Sequence, residues 1–287
     1  MKYNVTVVFN SIIKRRKFDG DIAVNLNQLE ITEEEWFDIY LAHADRSRND
    51  LIPFPEEEIQ VLTNNQKGLT TARGAIEIWS TIKQTCSKIR TLERDWEVLD
   101  FGCGWGRITR LLPYYFDTSN IHGVDVDDRL ISSANILLPN LHHSLIESMK
   151  PIFFDDGKFD LIFANSVFSH LSEKSARYTL KEISAKVKSG GIVITSVLEQ
   201  SEMEKFYAND MQREWITNIL GDKEDASLKL SEKGFIWGDT NRWDNYGIAI
   251  MTPEWIEELF ASCNLKLTSV DAKQHAGGQP FKIGIKV

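Results

Sequence analysis

The pattern of apolar and polar positions changes character near residue 96. Before it, residues 3–9 and 22–29 alternate, with Asp19-Gly20 between them. Strand-period runs around an Asp-Gly turn predict a β-hairpin. Thr32 and Glu35 then form a capping box ahead of Trp36, Phe37, Ile39, Tyr40 and Leu41, which predicts a helix. Pro55 and the glutamates after it open a second helix through about Asn64. Gly68 separates this from a longer helix over roughly residues 70–90, with Ala75, Ile78, Trp79 and Ile82 apolar.

From residue 96, short apolar runs alternate with helix-period segments. Strands are predicted at Val98–Phe101, Ile121–Val126, Leu141–Ile146, Phe159–Ala164 and residues 190–197, with helices between them, one from Ile108 and another from Ser172 to Lys188. Such alternation predicts an α/β fold with a mostly parallel sheet. Residues 201–250 interrupt it with one helix and an aromatic-rich loop holding Phe235, Trp237, Trp243 and Tyr246. Pro253 opens a further helix, and strands at Leu265–Val270 and Phe281–Val287 close the chain. The connection between them is too short for a helical crossover, so they should pair antiparallel. The expected organisation is a hairpin and helical cap at 1–92, a ligand-binding core at 93–200, an insertion at 201–250 and completion of the sheet by 251–287.

Composition narrows the partners. The chain has 287 residues and a net charge of −9. That balance argues against nucleic acid, whose binding needs a clustered basic face. The one basic run, Lys14-Arg15-Arg16-Lys17, reads as a solvated turn flank. Cys86, Cys103 and Cys263 are scattered and odd in number, which suits reduced thiols and neither a disulfide framework nor a thiolate zinc site. No apolar run is long enough to span a membrane or to act as a secretory leader, so a cytoplasmic protein is expected. His142 and His143 are adjacent on a strand and point to opposite faces, so no metal site is expected there.

Candidate chemistry sits where the first of these strands ends, in Gly102-Cys103-Gly104-Trp105-Gly106. Open parallel sheets bind ligands beyond the carboxyl ends of their strands, and glycines there let backbone come close to a ligand. Asp125, ending the second of them, can accept both hydroxyls of a ribose. A dinucleotide and S-adenosylmethionine both meet these requirements. The dinucleotide fingerprint is G-x-G-x-x-G; here the third glycine comes one position early and Arg107 stands in its place. Asp100, just before the loop, would repel a pyrophosphate but can hold an amino-acid ammonium. These features favour S-adenosylmethionine.

Residues 96–200 resemble the class I S-adenosylmethionine-dependent methyltransferases. The resemblance rests on Val98-Leu99-Asp100-Phe101-Gly102-Cys103-Gly104-Trp105-Gly106-Arg107, Gly123-Val124-Asp125-Val126, Phe159–Ser166 and Lys188–Ile194. It implies a Rossmann-like sheet of seven strands, mostly parallel with the last strand antiparallel, and S-adenosylmethionine as cofactor. It further implies Asp100, Phe101 and the Gly102-Cys103-Gly104 backbone against the methionine portion, with Asp125 on the ribose and Val126 on the adenine. Ser148 or Met149 would edge the adenine, and Asn165 and Ser166 would lie near the methyl group. Arg73, on the helix before this strand, is a candidate for the methionine carboxylate. Ser166–Leu171 resembles a bacterial subgroup acting on small molecules or glycans. That subgroup often carries Gly-Gly-His-Gln-Asp before its last strand, whereas this chain has Gly277-Gly278-Gln279-Pro280-Phe281.

Methyl transfer needs alignment of donor and acceptor, and a base only when the acceptor is protonated. His170 is the leading base candidate, and His275, in the loop before the final strand, is a second residue on the substrate side. Trp237, Arg242, Trp243 and Tyr246 make the insertion a candidate substrate lid. The expected reaction is O-methylation of a small-molecule or glycan acceptor. A protein methyltransferase, or a non-catalytic cofactor-binding module partnering another enzyme, are the alternatives. Asn165-Ser166-Val167-Phe168 lacks the Pro-Pro-aromatic run of adenine-modifying enzymes, which again argues against nucleic acid.

Overall fold

The computed structural model describes residues 31–47, 52–240, 246–268 and 278–287. The expected N-terminal hairpin lies outside them, as do Arg242, Trp243 and His275.

Three helices precede the sheet: α1 (Glu33–Ala44), α2 (Glu57–Asn64) and α3 (Gly68–Ser87). The capping box starts α1 as read, with the Glu35 backbone N–H donating to Thr32 Oγ1 and the Thr32 backbone N–H donating to Glu35. The α/β segment supplies β1 (Val98–Phe101), β2 (Ile121–Asp125), α4 (Asp128–Leu137), β3 (His142–Leu145), β4 (Phe159–Ala164), α5 (Glu173–Lys186) and β5 (Val187–Ser196). After β1 the chain forms a 3-10 helix, Thr109–Tyr114, where an α-helix was expected, and Pro113 lies within it. Proline donates no backbone hydrogen bond and clashes with the preceding turn, so it does not sustain an α-helix.

The seven strands run in the order β3-β2-β1-β4-β5-β9-β8, where β8 is Leu265–Leu267 and β9 is Phe281–Lys286. The ladders from β3 through β5 are parallel, and β9 is antiparallel to both β5 and β8. This is the expected Rossmann-like sheet with its last strand inserted antiparallel. The order reverses between β1 and β4, which opens a crevice at their carboxyl ends.

The insertion differs from expectation. It holds three helices, α6 (Gln200–Ala208), α7 (Asp210–Leu220) and α8 (Lys223–Lys233), and a two-stranded antiparallel sheet of β6 (Phe235–Asp239) and β7 (Gly247–Met251). The helices are short and punctuated by the Asn209 cap, Gly221 and Gly234, so no single helical period spans the segment. Of the aromatic-rich stretch read as a loop, Phe235 and Trp237 lie in β6. Helix α9 (Pro253–Ser262) follows, its N-terminus capped by Thr252.

Two apolar layers enclose the main sheet. One joins Trp36 and Trp79 of the N-terminal helices to Val98, Leu161 and Ile194 of the strands. The other packs α5 and α9, through Leu180, Leu259 and Phe260, against Leu99, Ile162 and Val193. The N-terminal helices are therefore one face of the main core rather than a separate cap. The insertion carries a smaller cluster of its own around Met203, Ile216, Leu230 and Ile250.

Candidate functional site

A cavity of about 1300 Å³ opens at the carboxyl ends of β1, β2 and β4. Two walls face each other across it, one built by the glycine loop and one by the segment after β4.

The glycine loop owes its path to backbone conformation. Gly102, Gly104 and Gly106 have φ of 77°, 56° and 76°, the left-handed region that side chains disfavour. Space also forbids side chains here. A Cβ on Gly102 would lie 2.4 Å from Val167 Cγ2, and one on Gly104 would lie 2.7 Å from Thr63 Cγ2. The loop amides are already engaged. Gly102 and Cys103 both donate to the Val124 carbonyl, at 2.8 and 3.0 Å. Gly104 donates to Asp125 Oδ2 at 2.8 Å. These amides thus tie the loop to β2. A pyrophosphate needs such donors and would find them spent, whereas an ammonium needs acceptors.

The acidic residues suit that ligand. Asp100 is 2% exposed and accepts from Thr109 Oγ1 at 2.6 Å. Burial pushes its carboxyl up to about 7, against the lowering effect of the Thr109 hydrogen bond, and the charge of Asp125 adds to the rise. A cation beside Asp100 would restore its charge. Asp125 accepts from the Gly104 amide at Oδ2 and from the Asp127 amide at Oδ1, and the carboxylate keeps acceptor capacity for a ribose hydroxyl. Val126 is 60% exposed at the cavity edge, an apolar surface for a flat base. Met149 lines the same edge in the left-handed conformation, φ 59°, beside Ser148. Asn165 also lines the cavity, and its buried Oδ1 has no hydrogen-bond partner. That orphaned acceptor and the glycine cradle fit a bound cofactor.

The opposite wall centres on His170. Its Nδ1 lies 2.8 Å from the Gly247 carbonyl, and its Nε2 lies 3.5 Å from Ser166 Oγ. The Tyr246 ring stacks on the imidazole, with centroids 4.2 Å apart and planes 16° from parallel. Ser166 is held in a left-handed conformation, φ 57°. Its backbone N–H donates to Ser196 Oγ at 2.6 Å, Ser196 Oγ donates to Gln279 Oε1 at 2.7 Å, and Gln279 Nε2 donates to Ser166 Oγ at 3.1 Å. These side chains come from the β4 end, the β5 end and the start of β9, and only the fold unites them.

Most of the residues expected in the site line this cavity: Arg73, Asp100, Phe101, Gly102, Cys103 and Gly104 on one side, Asn165, Ser166, His170 and Tyr246 on the other, with Asp125, Val126 and Met149 between them. Trp237 does not. Its indole N–H donates to the His170 carbonyl at 3.0 Å, so it holds the histidine from behind and is not a substrate-facing residue. Sequence reasoning missed Thr63 and Gln279. Thr63 accepts from Trp105 Nε1 at 3.2 Å and packs against Gly104, a contact no local pattern announces. Gln279 stands where the subgroup pattern breaks, and that break was the available signal.

Comparisons with known proteins agree with this geometry. Residues 99–195 match a family described as a methyltransferase domain. Trans-aconitate 2-methyltransferase of Agrobacterium fabrum (strain C58) is 33% identical over 104 residues, covering 36% of this chain and 38% of that protein. Ribosomal protein L11 methyltransferase of Thermosipho africanus is 30% identical over 125 residues, covering 42% of this chain and 45% of that protein. The chain thus spans about half the length, or less, of these curated relatives. Among solved structures, the PH0226 protein of Pyrococcus horikoshii shares the fold with a TM-score of 0.54 at 15% identity, over 82% of this chain and all of that one. Residues 99–195 thus carry a methyltransferase domain, set on the sheet order of the Rossmann-like methyltransferase fold, and the cofactor that this domain implies is S-adenosylmethionine.

Proposed function

We propose that the protein methylates an oxygen of a small-molecule or glycan acceptor, with His170 as general base. The observation that carries this reading is the hydrogen bond from His170 Nδ1 to the Gly247 carbonyl. A carbonyl only accepts, so in the neutral ring Nδ1 bears the proton and Nε2 carries the lone pair. Nε2 faces Ser166 Oγ on the cavity wall, the position from which a hydroxyl proton can be taken.

When bound, the cofactor supplies a sulfonium-activated methyl group and leaves as a neutral thioether. The chain itself aligns and deprotonates. Asp100 and Asp125 hold the donor, and Asn165 and Ser166 face it from the wall that carries His170. His170 Nε2 would take the proton of the acceptor hydroxyl, and the resulting imidazolium would keep its Nδ1 hydrogen bond to the Gly247 carbonyl. Holding the partners in line is the larger part of the rate gain. A cavity of about 1300 Å³ exceeds the usual range for a single small ligand, roughly 300–1,000 Å³, and so leaves room for an acceptor beside the cofactor. The Tyr246 ring, parallel to His170, suits a sugar ring or a planar metabolite.

The test is a screen of hydroxylated metabolites and glycans with isotopically labelled methyl donor. Label should appear in an ether or ester of one acceptor class. Label confined to protein substrates would replace this reading with a protein methyltransferase, and binding without transfer to any acceptor would leave a cofactor-binding module.

A further inference from the structure

Two arginines three residues apart, Arg107 and Arg110, are both buried, at 9% and 0% exposure, and their surroundings are opposite. Arg110 is satisfied by protein. Its Nε donates to the Gly106 carbonyl at 2.9 Å, its Nη2 to the Trp105 carbonyl at 2.8 Å, and its Nη1 to the Ile52 and Pro53 carbonyls. The guanidinium also lies over the Phe54 and Trp105 rings, 5.0 and 4.7 Å from their centroids. Arg107 lines the cavity, and its guanidinium makes no hydrogen bond or ion pair with any described residue. Asp100 is close enough to influence it electrostatically, yet the Asp100 carboxyl is turned to Thr109. A buried guanidinium without a partner is unfavourable unless a ligand anion completes it.

The neighbouring helix points the same way. Gly74 lies inside α3, a position where glycine is disfavoured. No packing requires it: a Cβ there would meet only Arg107 Nη1, at 3.8 Å, an ordinary contact. The absent methyl leaves a gap on the cavity wall directly beside the unpartnered guanidinium. Arg73, one residue earlier, is exposed to water and has no such need for a partner.

We infer that Arg107 and the gap over Gly74 form the subsite for the carboxylate of the cofactor's amino-acid end, in place of Arg73. The assignment rests on the cofactor reading and extends it. Asp100 and Arg107 then read a zwitterion, one taking the ammonium and the other the carboxylate through a guanidinium fork. An acceptor carboxylate has the same chemistry, and the ligands chosen for the test separate the two sources.

Calorimetry would compare S-adenosylhomocysteine with its decarboxylated analogue, which keeps the adenosine, thioether and amine. The wild-type protein should prefer S-adenosylhomocysteine by about 10- to 100-fold, the range for a lost charge-assisted pair. Arg107→Met should bring the two affinities to within about twofold by weakening S-adenosylhomocysteine alone, and Arg107→Lys should keep part of the preference. Gly74→Ala, which favours the helix and so does not threaten folding, should lower S-adenosylhomocysteine affinity while leaving the analogue unchanged. A preference that survives in both Arg107→Met and Gly74→Ala, or that Arg73→Met removes, overturns the inference. A wild-type protein that binds both ligands equally assigns the guanidinium to another anion, such as an acceptor carboxylate, and also overturns it. A wild-type protein that binds neither ligand overturns the cofactor reading itself, and this inference with it.

Discussion

The two walls of the cavity are built on different principles. The cofactor wall is mostly backbone: three left-handed glycines, amides spent on β2, and two carboxylates at the ends of the adjacent strands β1 and β2. The acceptor wall is side chains from four separated stretches, joined by hydrogen bonds from His170 to Gly247 and through Ser166, Ser196 and Gln279. A wall of backbone serves one fixed ligand and tolerates little change. Side chains on loops can vary while the scaffold stays, which is how one fold comes to serve many acceptors.

If the walls are separable, substitutions on each should act on different quantities. The largest effect is expected from His170→Ala. With an acceptor from the screen, turnover should fall by about 10²–10⁴-fold, while calorimetric affinity for S-adenosylhomocysteine stays unchanged. A loss of cofactor affinity in that variant would break the separation. Asp125→Ala should do the reverse, weakening S-adenosylhomocysteine by about 10- to 100-fold through loss of charge-assisted hydrogen bonds. It also removes the Gly104 tether, so a thermal midpoint should accompany the measurement.

The next effect concerns stability of the backbone wall. His143 packs beneath Gly106, with both ring nitrogens buried and without partners, and burial lowers its pKa to about 4. The folded-state value lies below the unfolded one near 6.5, so the unfolded chain takes up the proton first as pH falls. Stability should therefore drop from pH 7.5 to pH 5, by about 2 kcal/mol for this one group. Melting curves across that window should flatten in His143→Leu. A profile that keeps its slope in the variant would assign the dependence elsewhere, for instance to His122, which burial also lowers to about 4.

The smallest effect is on affinity, and it runs the other way with pH. Burial raises Asp100 to about 7, and an ammonium ligand pairs with its ionised form. Affinity for S-adenosylhomocysteine should fall about tenfold from pH 8 to pH 6, with proton release on binding at the lower pH. Asp100→Asn should remove that dependence. Constant affinity across the range in the wild-type protein would mean that Asp100 is not the ammonium partner.

The same contrast explains what was legible in the sequence. Asp100, the glycines and Asp125 could be read because they sit at the ends of two successive predicted strands and because the loop needs conformations only glycine adopts freely. The parallel sheet followed from the alternation of elements, and its antiparallel closing pair from a connection too short for a crossover. His170 could be named from its place after β4, but its tautomer depends on a carbonyl 77 residues away. Trp237 was misplaced because an aromatic residue in an insertion looks the same from sequence whether it faces a ligand or supports a histidine. The insertion's helices and hairpin were hidden by short elements, none long enough to set a clear period. Arg107 was visible as the residue that breaks the dinucleotide fingerprint, yet its lack of partners is a property of three dimensions.

The most direct test of the two-wall account is one calorimetric series with S-adenosylhomocysteine against the wild-type protein, Asp125→Ala and His170→Ala. The account predicts one-to-one binding to the wild-type protein, the same affinity in His170→Ala, and a loss of about 10- to 100-fold in Asp125→Ala. Equal affinities in all three proteins, or binding of NADH in place of S-adenosylhomocysteine, would contradict it.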